Sequence, residues 1–195
     1  MKDMLEIIKS RIKRSIDVKQ SMIDDDRLLD KIYVVVSKII ETYKNGGKVF
    51  LCGNGGSAAD AQHIAAELSG RFYYDRPPLY AEALHTNTSY ITAVANDYSY
   101  DDIYARYIKA AGNSGDVLIG ISTSGNSQNV INALKQANDK DMFTVAFTGA
   151  NGGKMKNIAN ILINIPSLDT PRIQEAHILV GHIICELVEA SLFPK

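Results

Sequence analysis

One stretch in the first third of the chain constrains the fold most, because it joins a short apolar run to a glycine-rich turn. Residues 48–57 read Lys-Val-Phe-Leu-Cys-Gly-Asn-Gly-Gly-Ser, and a helical pattern follows. This order predicts a strand that delivers a loop to a helix N-terminus. Gly53, Gly55 and Gly56 allow a tight turn and close approach of the backbone to a ligand, and the helix N-terminus favours an anion.

A second stretch repeats the arrangement further along the chain. An apolar run over 116–121 leads into 122–127, Ser-Thr-Ser-Gly-Asn-Ser, and then into another helical pattern. Four hydroxyl side chains without a lysine suit a phosphate monoester held by neutral donors. Neither loop has a GxGxxG fingerprint or the Gly-Lys-Ser/Thr of a P-loop. Gly-Asn-Gly-Gly alone is also compatible with an ordinary turn, but the two loops together indicate an anion site.

Strand and helix patterns alternate after residue 46, which predicts an α/β protein with a doubly wound parallel sheet. Candidate strands are the apolar run within 48–57 and residues 80–85, 116–121, 143–147 and 161–165. Candidate helices are 58–68, the segment that follows 86–89, 103–111, 127–140 and 172–192. Several of the strands are continuous apolar runs, as expected for strands that are buried on both faces of the sheet.

Two further helical patterns precede the first strand and predict an N-terminal α-helical hairpin. The first covers 2–22, and the second runs from the acidic triplet Asp24–Asp26 to the glycine stop at 45–47. We expect a helical arm over 1–45 and a sheet domain over 46–195, which together form one compact domain. Because the apolar stripe of such an arm cannot bury itself, the arm should pack on the sheet domain or on another subunit.

Composition excludes several classes of function. The chain of 195 residues is 46% hydrophobic and 22% charged, which is typical of a globular protein, and its net charge of −1 provides no general attraction to nucleic acid or anionic membranes. No apolar run in the sequence approaches the length of a membrane span. We therefore expect a cytoplasmic protein. Cys52 and Cys185 have no CxxC partner and are predicted to be reduced core residues.

Two predicted helices carry the side chains that could perform chemistry. His63 and Glu67 are four residues apart on the helix that begins at the glycine turn, so they share one face. The last helix carries Gln174, His177 and His182 among apolar residues, with Gln174 and His182 on roughly the same side. We interpret His177 as a hydrogen-bonded core residue. The other four could form a zinc site or an acid–base pair that moves a proton between adjacent sugar carbons.

Five motifs in combination carry a family resemblance. They are Cys-Gly-Asn-Gly-Gly-Ser-Ala-Ala-Asp-Ala-Gln-His, Ala-Ala-Glu-Leu-Ser-Gly-Arg, Ala-Asn-Asp, Gly-Ile-Ser-Thr-Ser-Gly-Asn-Ser and Pro-Arg-Ile-Gln-Glu-Ala-His. With them the chain closely resembles the phosphoheptose isomerases, a family of sugar-isomerase (SIS) domain proteins, over essentially its whole length. The resemblance implies a flavodoxin-like or Rossmann-like sandwich fold.

The resemblance also implies an activity and an assembly. The reaction would be the aldose–ketose isomerisation of sedoheptulose 7-phosphate to D-glycero-D-manno-heptose 7-phosphate. This is the first step toward the nucleotide-activated heptoses of bacterial surface polysaccharides such as lipopolysaccharide or capsule. The family is a homotetramer whose sites are built between subunits, and the resemblance implies one zinc ion per subunit.

Residue roles follow from the same resemblance, position by position. The implied phosphate ligands are Ser122, Thr123, Ser124 and Ser127. The implied contacts to the rest of the substrate are Asn54, Gly55, Gly56, Glu67, Asn96, Asp97 and Gln174. Glu67 and His182 would be the acid–base pair that works through an enediolate. The implied zinc ligands are His63, Glu67, Gln174 and His182, so Glu67 and His182 would serve both purposes.

Two alternatives remain open at this point. A relative with the same fold is a replication-initiator-binding protein, a tetrameric interaction module that lacks the acidic residue and the histidine at the positions of Glu67 and His182. This chain has both residues. The second alternative is a sibling isomerase that acts on another phosphosugar, because the motifs specify the phosphate and the reaction type better than the length of the sugar.

Overall fold

The computed structural model describes residues 2–195 and contains a five-stranded parallel sheet between two layers of helices. The strands are β1 (Val49–Gly53), β2 (Ala81–Ala83), β3 (Val117–Ile121), β4 (Phe143–Thr148) and β5 (Ile161–Asn164). Their order in the sheet is β2-β1-β3-β4-β5. This is the order of a flavodoxin-like doubly wound fold, so the predicted fold class is confirmed.

Seven helices accompany the strands in the described residues. They are α1 (Lys2–Ile23), α2 (Asp26–Lys44), α3 (Gly56–Ser69), α4 (Thr88–Asp97), α5 (Ile103–Ala111), α6 (Gln128–Asn138) and α7 (Thr170–Leu192). Short 3₁₀ turns lie at Tyr100–Asp102 and Lys154–Asn157. Among residues 2–195, no helix combines the length and the apolar character needed to cross a bilayer.

Both faces of the sheet are buried, which explains the continuous apolar strands. Val49, Leu51 and their neighbours face a core shared with α2, α3 and α7. Phe50 and Cys52 point the other way, into a core shared with α4, α5 and α6. Cys52 and Cys185 are free and buried, as predicted, and burial raises the pKa of the Cys185 thiol to about 12.

The two N-terminal helices behave differently although the sequence predicts them as one arm. The predicted first residue of the arm, Met1, lies outside the described residues. Asp25 caps α2, because its Oδ1 accepts the Leu28 N–H at 3.1 Å, and Gly46 ends the helix with φ +74°. The apolar face of α2 is buried against the sheet layer. In contrast, most apolar side chains of α1 are exposed, namely Met4, Leu5, Ile7, Ile8, Ile12 and Ile16.

Some predicted boundaries differ from the observed ones for local reasons. The strand predicted over 80–85 is shorter, because Thr86 donates both its N–H and its hydroxyl to the Ala83 carbonyl and closes a turn there. The helix predicted over 172–192 begins earlier, at Thr170, with Pro171 in its first turn, where proline is favourable. The other strand and helix predictions agree with the structure within about two residues.

Candidate active site

The two loops singled out in the sequence lie side by side at the carboxyl edge of the sheet. β1 and β3 are adjacent and parallel, and Gly53 pairs with Ile121 at their last residues. The chain reverses its winding direction between these two strands, which is where open α/β sheets bind ligands. The loop over 54–56 after β1, here called the glycine loop, and the loop over 122–127 after β3, the hydroxyl loop, therefore flank one crevice.

Steric limits and hydrogen bonds fix the glycine loop. A Cβ on Gly53 would lie 2.6 Å from the Ser57 carbonyl oxygen, and Gly55 has φ +56°, so both positions need glycine. The Asn54 side chain exchanges two hydrogen bonds of 2.9 Å with Asn129 and accepts one from the Tyr100 hydroxyl at 3.1 Å. Asn129 and Tyr100 therefore fix the orientation of the Asn54 amide, which the sequence predicts to contact the substrate.

The hydroxyl loop forms one wall of a cavity of about 290 Å³. Thr123 and Ser124 line this cavity together with Thr170 and Ile173 at the start of α7. Ser122 is buried behind the wall, where its Oγ lies 2.9 Å from Ser127 Oγ and 3.4 Å from Ser124 Oγ.

The electrostatics of this cavity suit a phosphate held by neutral groups. Within the described chain, the residues that line the cavity include no lysine or arginine. The N-terminus of α7 lines the cavity through Thr170, and α6 begins two residues after Asn126, which also lines it, so positive helix ends lie near the cavity. Hydroxyl and backbone N–H donors can therefore bind an anion here.

Helices α3 and α7 bring three of the predicted zinc and acid–base residues together. His63 Nε2 lies 2.9 Å from His182 Nε2 and 3.4 Å from Glu67 Oε1. One ligand atom from each of the three residues lies within 4.8 Å of the others. The close contact of the helices depends on Gly181, because a Cβ there would lie 2.5 Å from Ile64 Cδ1.

This donor set fits a zinc ion. Two imidazole nitrogens and a carboxylate oxygen are ordinary zinc ligands, and three protein ligands leave room for a fourth. The two Nε2 atoms face each other at hydrogen-bonding distance, so without a metal one ring must donate to the other. Converging imidazoles of this kind are well arranged to share one cation.

The remaining predicted site residues lie outside the cluster of His63, Glu67 and His182. The Gln174 amide lies against Gly56 at the start of α3, where a Cβ would collide with Gln174 Nε2. Asn96 and Asp97 are exposed in the last turn of α4, and Asn96 Nδ2 donates to Asp97 Oδ1 at 2.9 Å. The structure therefore groups His63, Glu67 and His182, whereas Gln174 lies at the glycine loop and the Asn96–Asp97 pair faces outward.

His177 is separate from this cluster, as its interpretation as a core residue requires. It is fully buried, and its Nε2 lies 3.2 Å from the Thr148 carbonyl oxygen. Burial lowers the pKa of the imidazole to about 4, so the ring is neutral at physiological pH.

Sequence reasoning missed several residues that support the site. Asn129 and Tyr100 hold Asn54, although they lie on α6 and on a 3₁₀ turn. The Phe72 ring packs against the His182 ring with centroids 5.9 Å apart. An asparagine in a helix or an aromatic residue in a loop gives no local signal of such a role, because the contact depends on elements that are distant in sequence.

Comparisons with known proteins identify the family of this chain. The SIS domain family matches residues 15–149. A phosphoheptose isomerase from Aneurinibacillus thermoaerophilus is 53% identical over 190 residues, which are 97% of this chain and 96% of the relative. Phosphoheptose isomerase 2 from Campylobacter jejuni is 49% identical and covers the whole chain and 97% of the relative. The solved phosphoheptose isomerase from Neisseria gonorrhoeae superposes with a TM-score of 0.89 at 42% identity, covering 96% of this chain and 99% of that one.

Proposed function

The chain belongs to the phosphoheptose isomerase family of SIS-domain proteins, and we propose that it converts sedoheptulose 7-phosphate to D-glycero-D-manno-heptose 7-phosphate. One observation carries the chemical side of this proposal. A carboxylate and two imidazoles converge within 4.8 Å on the helix that begins at the glycine loop and on its neighbour α7. A base and a proton donor at that position are what an aldose–ketose isomerisation requires.

In the proposed reaction, Glu67 and His182 divide the proton transfers. Glu67 removes a proton from C1 of the ketose, and the electron pair of the broken C–H bond forms the C1–C2 double bond of an enediolate. His182 protonates the oxygen on C2, which gives the enediol. Glu67 then returns its proton to C2 while His182 takes the proton of the C1 hydroxyl, so C1 becomes the aldehyde. His182 has two ring nitrogens, so one can face the cluster while the other carries a proton.

The hydroxyl loop supplies binding. Ser122, Thr123, Ser124 and Ser127 are proposed to hold the 7-phosphate, and Asn54, Gly55, Gly56, Asn96, Asp97 and Gln174 are proposed to contact the sugar chain. Support comes from the cavity beside Thr123 and Ser124 and from the fixed position of the Asn54 amide. Binding at the phosphate end and chemistry at the other end would select a sugar of matching length.

Removal of one loop hydroxyl provides a test of phosphate binding. We expect Ser124→Ala to raise KM with little change in kcat, because one phosphate hydrogen bond worth roughly 1 to 3 kcal/mol, or about 5- to 150-fold in KM, is lost. Steady-state kinetics with sedoheptulose 7-phosphate measure this. Ser114→Ala, which removes an exposed hydroxyl from the turn before β3, is the matched control. An unchanged KM for Ser124→Ala would contradict the phosphate assignment.

Zinc is the proposed cofactor, with one ion per subunit held by His63, Glu67 and His182 and by Gln174 as a fourth ligand. Bound zinc would supply Lewis-acid polarisation of the sugar oxygens next to the reacting carbons. Support comes from the geometry of the three-residue cluster. For Gln174 to join it, the amide would have to move from its contact with Gly56.

Metal analysis tests the zinc assignment directly. We expect protein purified without chelator to contain about one zinc per chain, because two imidazoles and a carboxylate converge at ligand distance. His63→Asn should lower the zinc content, whereas His85→Asn, which changes a histidine outside the cluster, should retain it. Wild-type protein that contains no zinc, and whose activity does not respond to added zinc, would show that the site is not a zinc site.

We also propose a homotetramer with active sites between subunits. The exposed apolar residues of α1 support this, because an unpaired apolar helix face of this kind marks an interface. Asn96 and Asp97 are exposed in the isolated chain, as expected for residues that complete a site across a subunit boundary. In this proposal the arm over 1–45 serves assembly and residues 46–195 carry the chemistry.

The proposed cellular role follows from the product. A heptose 7-phosphate would enter the synthesis of nucleotide-activated heptose for a bacterial surface polysaccharide, either lipopolysaccharide or capsule. We propose that the enzyme acts in the cytoplasm, where its two free, buried cysteines would remain reduced.

The decisive experiment is conversion of sedoheptulose 7-phosphate by the purified, zinc-supplemented protein, with the product identified by NMR. Formation of the heptose 7-phosphate would establish the reaction. Faster conversion of a shorter phosphoketose in parallel assays would indicate a sibling isomerase instead. Folded protein that converts none of these sugars would favour a non-enzymatic binding module.

A further inference from the structure

A buried ion pair lies next to the cluster of His63, Glu67 and His182 and is not part of it. Arg76 Nε and Glu189 Oε1 are 3.1 Å apart, and each side chain is only 2% exposed. Arg76 belongs to the segment over 70–80 that connects α3 to β2 without helix or strand. Glu189 lies on α7, seven residues after His182, which places it on the same side of that helix two turns later.

The Glu189 carboxylate accepts three hydrogen bonds from the connecting segment, one of them from Arg76 Nε. Its Oε1 also accepts the Phe72 N–H at 2.9 Å, and its Oε2 accepts the Tyr73 N–H at 2.8 Å. Burial by itself raises the pKa of this carboxyl, but the two backbone donors and the Arg76 guanidinium outweigh it and hold the pKa below its usual value. Glu189 therefore stays ionised and fixes the backbone at Phe72 and Tyr73.

Arg76 makes the matching connection to α3. Its guanidinium donates to the carbonyl oxygens of Glu67 at 2.9 Å, Leu68 at 2.7 Å and Gly70 at 3.1 Å. The last carbonyls of a helix have no partner within the helix, so Arg76 caps the C-terminus of α3. The turn that it caps is the one that carries the Glu67 side chain.

The same connecting segment reaches His182. Phe72, whose N–H is held by Glu189, packs its ring 5.9 Å from the His182 ring, with 40° between the planes. The His63 ring also lies near His182, with its centroid 5.1 Å from that of the His182 ring. His182 is therefore in contact with a histidine from α3 and with an aromatic ring that the buried ion pair fixes in place.

We propose that Arg76, Glu189 and Phe72 are positioning residues for the isomerisation. The ion pair ties the last turn of α3 to α7, and Phe72 restrains the His182 ring, so Glu67 and His182 keep the separation that proton transfer needs. None of the three residues needs to touch the substrate. The inference rests on the proposed function, because it assigns these residues a part in that reaction.

Phe72→Leu and Glu189→Gln are the variants that separate a role in positioning from a role in folding. Glu189→Ala would leave the Arg76 charge buried without an anion and would test mainly whether the chain folds. Phe72→Leu keeps the backbone N–H bond to Glu189 and the ion pair, and removes only the ring beside His182. Glu189→Gln keeps the size and one acceptor oxygen, but it also leaves the Arg76 charge without an anion and removes the acceptor of one backbone N–H, so its kcat is compared with its thermal midpoint. Tyr74→Phe is the control, because it removes a hydroxyl of the same segment that donates to the main-chain carbonyls of Phe193 at 2.7 Å and Glu189 at 3.4 Å, and it leaves the Glu189 carboxylate and the Phe72 ring unchanged.

The experiment measures kcat, KM, zinc affinity by chelator competition and the thermal midpoint for each variant. For Phe72→Leu and Glu189→Gln we expect kcat to fall about 10- to 100-fold and zinc affinity to fall about 10-fold or more, the usual effect of losing a residue that orients a metal ligand. KM should stay within about twofold of the wild-type value, since these variants leave the hydroxyl loop unchanged. Tyr74→Phe should leave kcat and zinc affinity unchanged.

The possible outcomes distinguish this inference from the proposed function. Unchanged kcat and zinc affinity in both variants, beside an active wild type, would overturn the positioning role and leave the isomerase assignment intact. A kcat that falls only in proportion to the folded fraction would overturn the positioning role as well. A wild type that binds zinc but does not isomerise the sugar would refute the function, and weaker zinc binding by Phe72→Leu would still support positioning of the cluster.

Discussion

Replacement of Glu67 by glutamine is expected to lower kcat by about 10²- to 10⁴-fold while leaving the fold intact, because a general base usually contributes that much. The amide has the size of the carboxylate and can occupy the same space, 3.4 Å from His63 Nε2. It cannot accept the proton from C1 of the sugar. Kinetics with sedoheptulose 7-phosphate, together with circular dichroism of the variant, measure both parts of this expectation.

A second readout separates the two proposed roles of Glu67. In D₂O the wild type should exchange the transferred hydrogen with solvent, and the variant should lose this exchange at saturating zinc. Glu41→Gln, which removes an exposed carboxylate paired with Lys38 on α2, is the control. Activity restored to the wild-type level by excess zinc would mean that Glu67 serves as a metal ligand and not as the base.

Replacement of Gly125 by alanine should produce the largest loss of stability among single changes in the hydroxyl loop. Gly125 has φ +66°, and an added Cβ would lie 2.6 Å from the Gly152 carbonyl carbon and 2.9 Å from the Gly153 nitrogen. Left-handed backbone strain and overpacking against rigid main chain together should lower the free energy of unfolding by about 2 to 5 kcal/mol. Denaturant titration at fixed protein concentration gives the change in free energy of unfolding.

A matched glycine isolates the steric part of that cost. Gly115 also has positive φ, +85°, but nothing lies within 4 Å of a Cβ there. Gly115→Ala should therefore be destabilised by backbone strain alone, by about 1 to 2 kcal/mol. Equal losses for the two variants would contradict the packing of the hydroxyl loop against residues 152–153. Any folded Gly125→Ala protein should also show a raised KM, because Ser124 would be displaced.

Local patterns in the sequence predicted most of the secondary structure. The helix predicted over 103–111 has these bounds in the structure, and the first strand and its glycine turn lie where the pattern indicated. The prediction was less accurate at β2, where the side chain and N–H of Thr86 close a turn that apolar periodicity does not reveal. A hydrophobic pattern cannot predict element boundaries that one or two hydrogen bonds determine.

The sequence predicted the proximity of two candidate site residues where they are neighbours on one element. His63 and Glu67 are one helical turn apart, and any helix over 58–68 would place them together. The contact of His182 with His63 joins residues that are 119 positions apart. It exists because α3 and α7 pack on the same face of the sheet and Gly181 lets them approach closely.

The sequence alone determined the alternation of strands and helices, the two anion-type loops and the chemical types available for catalysis. These properties depend on periodicity and on residue identity within a few positions. Tertiary structure decided the rest. The strand order put the two loops at one crevice, and the packing of α7 on α3 completed the His–Glu cluster. The Arg76–Glu189 pair then tied the segment beside His182 to both helices. Such contacts between distant residues depend on which apolar faces pack together, and local sequence patterns do not specify that choice.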